Sequence, residues 1–346
     1  MTGIGTPTAA SSTGPASGAE PRITVGIATF RRPADLRLAL RSVLEQFAGT
    51  DGSPQTAGDL DVLIVDNDPD GSGAAVVAEF GLVNARYCRE DRPGVAAVRN
   101  RLVDECADRD VLVFLDDDEH PRPGWLDALV TTWRRTGAAA VCGPVVPEFE
   151  GLIDPWVAAG RFFDRFNRPT GTVVQVAAAG NLLLDLAQIL ASGVRFEDRF
   201  GLSGGEDNLF SRMLVNSGGT IVWCEESVAV DRVPASRVTR RWVLTRSFSH
   251  GNTAGLVDLE LRATGQSALA MRVTMALRGA VRVVAGGARL VIGWAFLSRR
   301  HQARGARTAM RGLGLMAAAA GLIFREYSRG GRRIAIHRSV PGGSGL

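Results

Sequence analysis

Residues 111–126 read VLVFLDDDEHPRPGWL. The apolar run Val111 to Leu115 suits a buried strand, and it passes directly into four carboxylates, Asp116, Asp117, Asp118 and Glu119. Adjacent like charges repel, and desolvating any of them is costly unless a cation sits among them. In an extended chain Asp116 and Asp118 point to one side, as the ligands of a divalent cation need. Hard cations such as Mg²⁺ or Mn²⁺ take carboxylate together with phosphate oxygens. The alternative is a solvated acidic turn that caps a helix starting at Gly124. It accounts for one acid near the helix start, but not for four abutting a buried strand.

On both sides of this stretch, short apolar runs alternate with amphipathic ones. ITVGIAT (23–29) reads as a strand, and Pro33 opens a helix with Leu36, Leu40, Val43 and Leu44 on one face. After a polar loop at 48–59, DVLIVDN (61–67) is a second strand; a third lies near 83–87, and a helix follows over about 95–107. A helix from Gly124 to about Arg135 and the strand AAVCG (139–143) come after VLVFL. Such alternation predicts an α/β fold, a Rossmann-like, mostly parallel sheet flanked by helices. Ligands of these sheets bind beyond the carboxyl ends of the strands, where TFRR, VDND and DDDE all fall. Beyond a loop holding Trp156, Phe162, Phe163 and Phe166, the strand VVQVAAAGNLLLD (173–185) is expected. FGLSGGEDNLFSRMLVNSGG (200–219) then reads as a Gly-rich turn entering a helix that ends at Gly218 and Gly219.

Composition sets the limits of the reading. A chain of 346 residues fits one large domain with an appendage. All 40 basic residues are Arg, and Cys88, Cys106, Cys142 and Cys224 form no CxxC, which argues against zinc or a disulfide framework. Residues 1–21 are rich in Ser, Thr, Gly and Ala and lack the basic and apolar regions of a signal peptide, so a disordered lead-in and a cytoplasmic location are expected. Charge is uneven: residues 231–346 hold 20 Arg against Asp231, Asp258, Glu260 and Glu326, whereas the rest of the chain is net acidic. An anionic partner for the basic part follows from that asymmetry.

The ordered set ITVGIATFRRP, VLIVDNDPDGS, RPGVAAVRN, VLVFLDDDE, AAAGNLLL, GGEDNLFSRM and the segment holding Arg241-Trp242, Arg246 and Gly251-Asn252 resembles family 2 glycosyltransferases of the GT-A fold. It is similar in particular to the bacterial exopolysaccharide branch with succinoglycan-type β-glycosyltransferases, over roughly residues 22–252. The resemblance implies a nucleoside-diphosphate sugar, a UDP-sugar by preference, as donor. It puts Thr29 and Arg31 along the base and ribose, Asp66 on the uracil, and Arg99 and Asn100 against the nucleotide; the alternatives are an Asx turn ending the strand at Asp66 and a surface helix position for Asn100. Asp116 and Asp117 belong to the same pocket; Asp118 is the first metal ligand to consider and Asp116 the second, for Mg²⁺ or Mn²⁺. Arg241, Trp242 and Arg246 would meet the diphosphate, although TRRW stands where many members carry QxxRW. Arg237 and Asp231 are lesser candidates, for a phosphate and for the metal, and Gly180-Asn181 is either a strand bulge or a supporting element.

The resemblance also makes GGED the chemical centre. Inversion at an anomeric carbon is one in-line displacement, for which a carboxylate removes the proton of the attacking hydroxyl. Asp207 takes that role by resemblance, with Glu206 beside it on the acceptor or sugar. Without the resemblance, both are acids in the first turn of a helix, where the macrodipole favours them. His250 reads as a loop residue.

The GT-A domain is expected over 22–255, an amphipathic Arg-rich helical extension over 256–330, and a disordered tail over 331–346. In the extension Arg278, Arg282 and Arg289 fall within about 40° at helical spacing. This fits helices lying on an anionic membrane surface, with Arg reaching lipid phosphates. A helical subdomain packed on the core, its Arg face solvated, is the other reading. No recognised motif supports nucleic acid. The expected enzyme is an inverting, metal-dependent hexosyltransferase, peripheral at the inner face of the cell membrane. It would act on a saccharide or polyprenyl-diphosphate-linked acceptor in surface polysaccharide assembly. The rivals are a nucleotidyltransferase on a related sheet and a catalytically degenerate, membrane-associated scaffold.

Overall fold

The computed structural model describes residues 20–47, 60–81, 85–262, 267–326 and 334–336. Expectations about the lead-in before residue 20 and the loop 48–59 lie outside these residues. In chain order the first elements are β1 (Ile23–Thr29), α1 (Pro33–Phe47), β2 (Leu60–Asp66), α2 (Ala74–Phe80), β3 (Ala85–Arg89) and α3 (Val95–Glu105). They are followed by β4 (Val111–Asp116), β5 (Glu119–Pro121), α4 (Trp125–Thr136), β6 (Ala140–Cys142), β7 (Val145–Phe149) and α5 (Pro155–Gly160). Next come β8 (Val173–Val174), β9 (Asn181–Asp185), α6 (Leu186–Ser192), α7 (Glu206–Asn216), β10 (Ile221–Trp223) and β11 (Ala229–Val233). The chain closes with α8 (Arg240–Glu260), α9 (Ala268–Ala295), α10 (Arg299–Ala319), β12 (Leu322–Phe324) and β13 (Ile334–Ile336).

Eight strands form the central sheet in the order β3-β2-β1-β4-β9-β6-β10-β8. It is mostly parallel, as expected, with β9 antiparallel to both β4 and β6. β4 sits at the centre, and its residues from Val111 to Leu115 are at most 2% exposed. The period of two divides them between two cores. Val111, Val113 and Leu115 pack with Leu36, Leu40, Trp125 and Leu129 on one face. Leu112 and Phe114 pack with Leu102, Phe210 and Leu214 on the other. Parallel register then aligns the strand ends, with Thr29 opposite Asp66 and Ala28 opposite Asp116. A small second sheet, β5-β11-β7, stands at that edge.

Three expectations are corrected here. The run 173–185 is not one strand: β8 pairs with β10, the chain leaves the ladder, and β9 begins at Asn181. The domain boundary at 255 falls inside α8, which runs unbroken to Glu260 because glycines let α10 press against it. A Cβ on Gly255 would meet Ala318 Cβ at 2.7 Å, and Gly251 lies directly against the Arg311 backbone. Of the tail expected to be disordered over 331–346, residues 334–336 form β13, antiparallel to β12, and the others lie outside the described residues.

Helices α9 and α10 form an antiparallel hairpin along small residues. Gly279, Gly286 and Gly293 recur every seven residues on α9, with Gly286 facing Gly305 and Gly279 facing Gly312. The extension packs on the core through α10 against α8, as the subdomain reading expects, while the outer face of α9 is exposed. Leu269, Val273, Leu277, Val281, Val284 and Val291 are exposed there, within about 120° at helical spacing. No described helix is long and apolar enough to cross a membrane.

Candidate active site

β4 ends at Asp116, Asp117 and Asp118 form a turn, and β5 starts at Glu119. Asp116 and Glu119 converge beside Gly180, where a Cβ would lie 2.6 Å from Glu119 Oε1 and 2.9 Å from Asp116 Oδ2. The Asp118 charge acts on both, so the turn keeps all three acids at this edge. Any side chain at 180 would displace Asp116 and Glu119, which gives the glycine of AAAGN its purpose. Glu119 is buried, and its Oε2 has no hydrogen-bond partner among the described residues. Burial, and then the Asp116 charge, hold Glu119 well above the ordinary carboxylate range. Asp231 on β11 pairs opposite Glu119 and accepts from Arg165 at 2.6 Å.

Asp118 and Asp117 are occupied by guanidinium groups. Arg32 donates to Asp117 Oδ1 at 2.9 Å and to Asp118 Oδ2 at 3.0 Å, and Arg237 reaches the same Asp118 oxygen at 3.0 Å. Thr29 Oγ1 donates to Asp117 Oδ2 at 2.9 Å. Burial pushes Asp117 up to about 7, against the pull of Arg32.

The GGED segment reaches this edge from the other face of the sheet. Gly204 and Gly205 have φ of 80° and 89°, a backbone that L side chains rarely adopt, and Gly205 sits against Thr253. This double left-handed turn sets Glu206 and Asp207 into the first turn of α7. Glu206 is buried and ion-paired with Arg99, whose other nitrogen lies 3.4 Å from Asp116 Oδ1. Burial pushes Glu206 up to about 7, with Arg99 opposing. Asp207 is half-buried, accepts the backbone N–H of Asn208 at 2.7 Å, and makes no ion pair among the described residues. Two acidic motifs about ninety residues apart thus share one cation, Arg99.

The donor set is all oxygen, and two buried carboxylate oxygens, Glu119 Oε2 and Glu206 Oε2, lack a hydrogen-bond partner among the described residues, which suits a hard divalent ion. Among the described residues no three acids stand ready to hold a metal alone. Mg²⁺ is commonly held by one or two carboxylates, with waters and substrate phosphates completing the shell. Asp116 and Glu119 fit that arrangement.

Several expected contacts have other tasks. Asp66 is fully buried; its oxygens accept the backbone N–H groups of Asp68 at 2.8 Å and Gly73 at 2.7 Å, so it builds the turn after β2. Asn100 clamps the backbone of Phe196 through both ends of its amide, at 2.7 and 3.0 Å. Arg31, at φ 55°, turns away to Asp68 and Asp70, leaving Arg32 on the carboxylates. Asn181 is spent on Trp125, Pro144 and Ser227. Trp242 stacks on Phe163 at 6.0 Å, Arg246 pairs with Glu326, and Arg241 is exposed in the first turn of α8. His250 lies within α8 rather than in a loop. Arg32 and Glu119 are the site residues missed; the second Arg of TFRR and the fourth acid of DDDE were their only signals.

Residues 24–184 match a family model described as glycosyl transferase family 2. The chain is 34% identical over 240 residues to the succinoglycan biosynthesis protein ExoM of Rhizobium meliloti (strain 1021), covering 67% of this chain and 74% of that protein. Solved structures similar to it include S. aureus TarS, with a TM-score of 0.49 and 14% identity over 71% of this chain and 40% of that one. Another is GalNAc-T7 with UDP, GalNAc and Mn2+, with a TM-score of 0.48 and 13% identity over 68% of this chain and 51% of that one. The chain therefore spans less than half of TarS and about half of GalNAc-T7. With an identity this high over three quarters of the Rhizobium protein, the chain belongs to the family 2 glycosyltransferases.

Proposed function

We propose that this glycosyltransferase moves a hexose, with inversion and with a divalent metal, from a nucleoside-diphosphate sugar to a saccharide acceptor. The observation that carries the reading is the bridge that Arg99 makes from Asp116, which lies beside Glu119, to Glu206, the neighbour of Asp207, at the carboxyl edge of the parallel strands. In the reaction the acceptor hydroxyl attacks the anomeric carbon opposite the leaving nucleoside diphosphate, and Asp207 takes its proton. Asp207 suits that task because it is the accessible carboxylate of the pair, whereas Glu206 is held by Arg99. Asp116 and Glu119 would hold Mg²⁺ or Mn²⁺, which when bound supplies Lewis-acid stabilisation of the departing diphosphate. Arg32 and Arg237 keep the neighbouring carboxylates neutralised and lie ready for phosphate oxygens. Thr29 lies beside Asp117 at the end of β1, where the donor would enter.

The exposed apolar stripe of α9, on a helix that also carries Arg278 and Arg282, supports a peripheral position on an anionic bilayer at the inner face of the cell membrane. An acceptor carried on a polyprenyl diphosphate suits that position. The likeness to a succinoglycan biosynthesis protein supports a role in exopolysaccharide assembly. A screen of nucleotide sugars for Mn²⁺-dependent release of nucleoside diphosphate, with the product anomer read by NMR, tests the reading. It expects one preferred donor, loss of activity in EDTA and inverted configuration; retention, or full activity in EDTA, contradicts it.

A further inference from the structure

Five arginines, Arg161, Arg289, Arg304, Arg307 and Arg311, line a cavity of about 380 Å³ together with Thr308 and a single acid, Asp164. Asp164 is already paired with Arg161. Arg307 is fixed in place: it donates to the carbonyl of Arg161 at 2.7 Å and lies over the Phe162 ring at 5.8 Å. The Nε groups of Arg289 and Arg311 are buried without a partner among the described residues. Burial and neighbouring arginines hold Arg307 and Arg311 below the usual guanidinium value. A solvated arginine face would spread its charges outward; this one concentrates them in a concavity with donors left over. Five guanidinium groups around one hollow match the several oxygens of a diphosphate, which Arg recognises by paired hydrogen bonds.

The cavity's place in the fold narrows the source of that anion. Arg289 lies on α9, and the other three helical arginines lie on α10, within the hairpin. At the hairpin tip Trp294, Phe296 and Leu297 are 65%, 78% and 83% exposed, a set suited to entering a bilayer interface. On the opposite wall the loop that supplies Arg161 and Asp164 continues to Arg165, whose partner Asp231 pairs opposite Glu119. We propose that this pocket binds the diphosphate of a lipid-linked acceptor, with the lipid at the hairpin tip and the saccharide directed along the 161–165 loop toward the Glu119 edge of the candidate active site. The acceptor's identity rests on the transferase reading above; the affinity for diphosphate does not.

Calorimetric titration of the full chain with inorganic pyrophosphate in EDTA, without any donor, reads the pocket as the part of the binding that the pocket variant loses. Cosedimentation with phosphatidylcholine vesicles, with and without a few per cent of a prenyl diphosphate, reads the source. Arg289→Gln/Arg304→Gln is expected to weaken both at least tenfold, and Arg41→Gln/Arg135→Gln, which removes the same charge on exposed positions of α1 and α4, to leave both within twofold. No binding of pyrophosphate, or equal losses in the two variants, overturns the site. Pocket-dependent binding of pyrophosphate with vesicle binding indifferent to prenyl diphosphate overturns the lipid-linked acceptor. Failure of the transferase reading would show separately, as wild-type protein that binds pyrophosphate yet releases no nucleoside diphosphate from any sugar nucleotide.

Discussion

Arg99 shows how one side chain can make an acidic site tolerable. It lies buried between Glu206 and Asp116, and a buried charge that loses its partner costs about 3–5 kcal/mol. Arg99→Met should therefore lower the unfolding free energy by about that amount in urea titrations, and a loss under about 1 kcal/mol would deny Arg99 its bridging role. Glu206 also makes stability depend on pH. Its folded value is raised to about 7, above the ordinary unfolded value of about 4.3. Between these values the folded state binds the extra proton, so stability falls as pH rises from about 4.5 to about 7. Glu206→Gln should flatten that slope in thermal melts across the window, and an unchanged slope would contradict the assignment. At this scale the motifs marked the side chains that gather at the sheet edge, but not the partners each one takes there. Glu119 was hidden by the Asp117–Asp118 turn; Asp66 makes the turn bonds that its residue type allows, whereas the clamp of Asn100 on Phe196 joins residues far apart in the chain and has no local signal.

Among the elements, the central strands and the helices α1, α3, α4 and α7 were legible because their apolar periods are unmixed and Gly or Pro marks their ends. The α9–α10 hairpin was not, because Gly, Ala and Arg share its faces and nothing local says which face meets the partner helix. Close backbone approach decides it: a Cβ on Gly286 would meet the Ala309 nitrogen at 2.5 Å, whereas one on Gly287 meets nothing within 4 Å. Gly286→Val should thus destabilise the chain by about 1–3 kcal/mol. Gly287→Ala should be neutral or stabilising by up to about 1 kcal/mol. Thermal denaturation of the two variants separates them, and similar melting points would refute the packing scheme.

Across the whole molecule, charge divides the labour. The acidic part gathers carboxylates at the sheet edge, and the arginine-rich last third presents an apolar stripe with cationic flanks. Trp294→Ser/Phe296→Ser/Leu297→Ser should reduce cosedimentation with anionic vesicles at least tenfold while leaving the melting temperature near wild type, since these side chains are mostly exposed. Undiminished binding would remove the hairpin tip from the membrane account. The account as a whole turns on Asp207, the accessible acid of the GGED turn. Its most direct test is Asp207→Asn, assayed for transfer and, by calorimetry with Mn²⁺, for donor binding. Binding within a few-fold of wild type with transfer reduced by about 10²–10⁴ is the predicted result; near-normal turnover would contradict it.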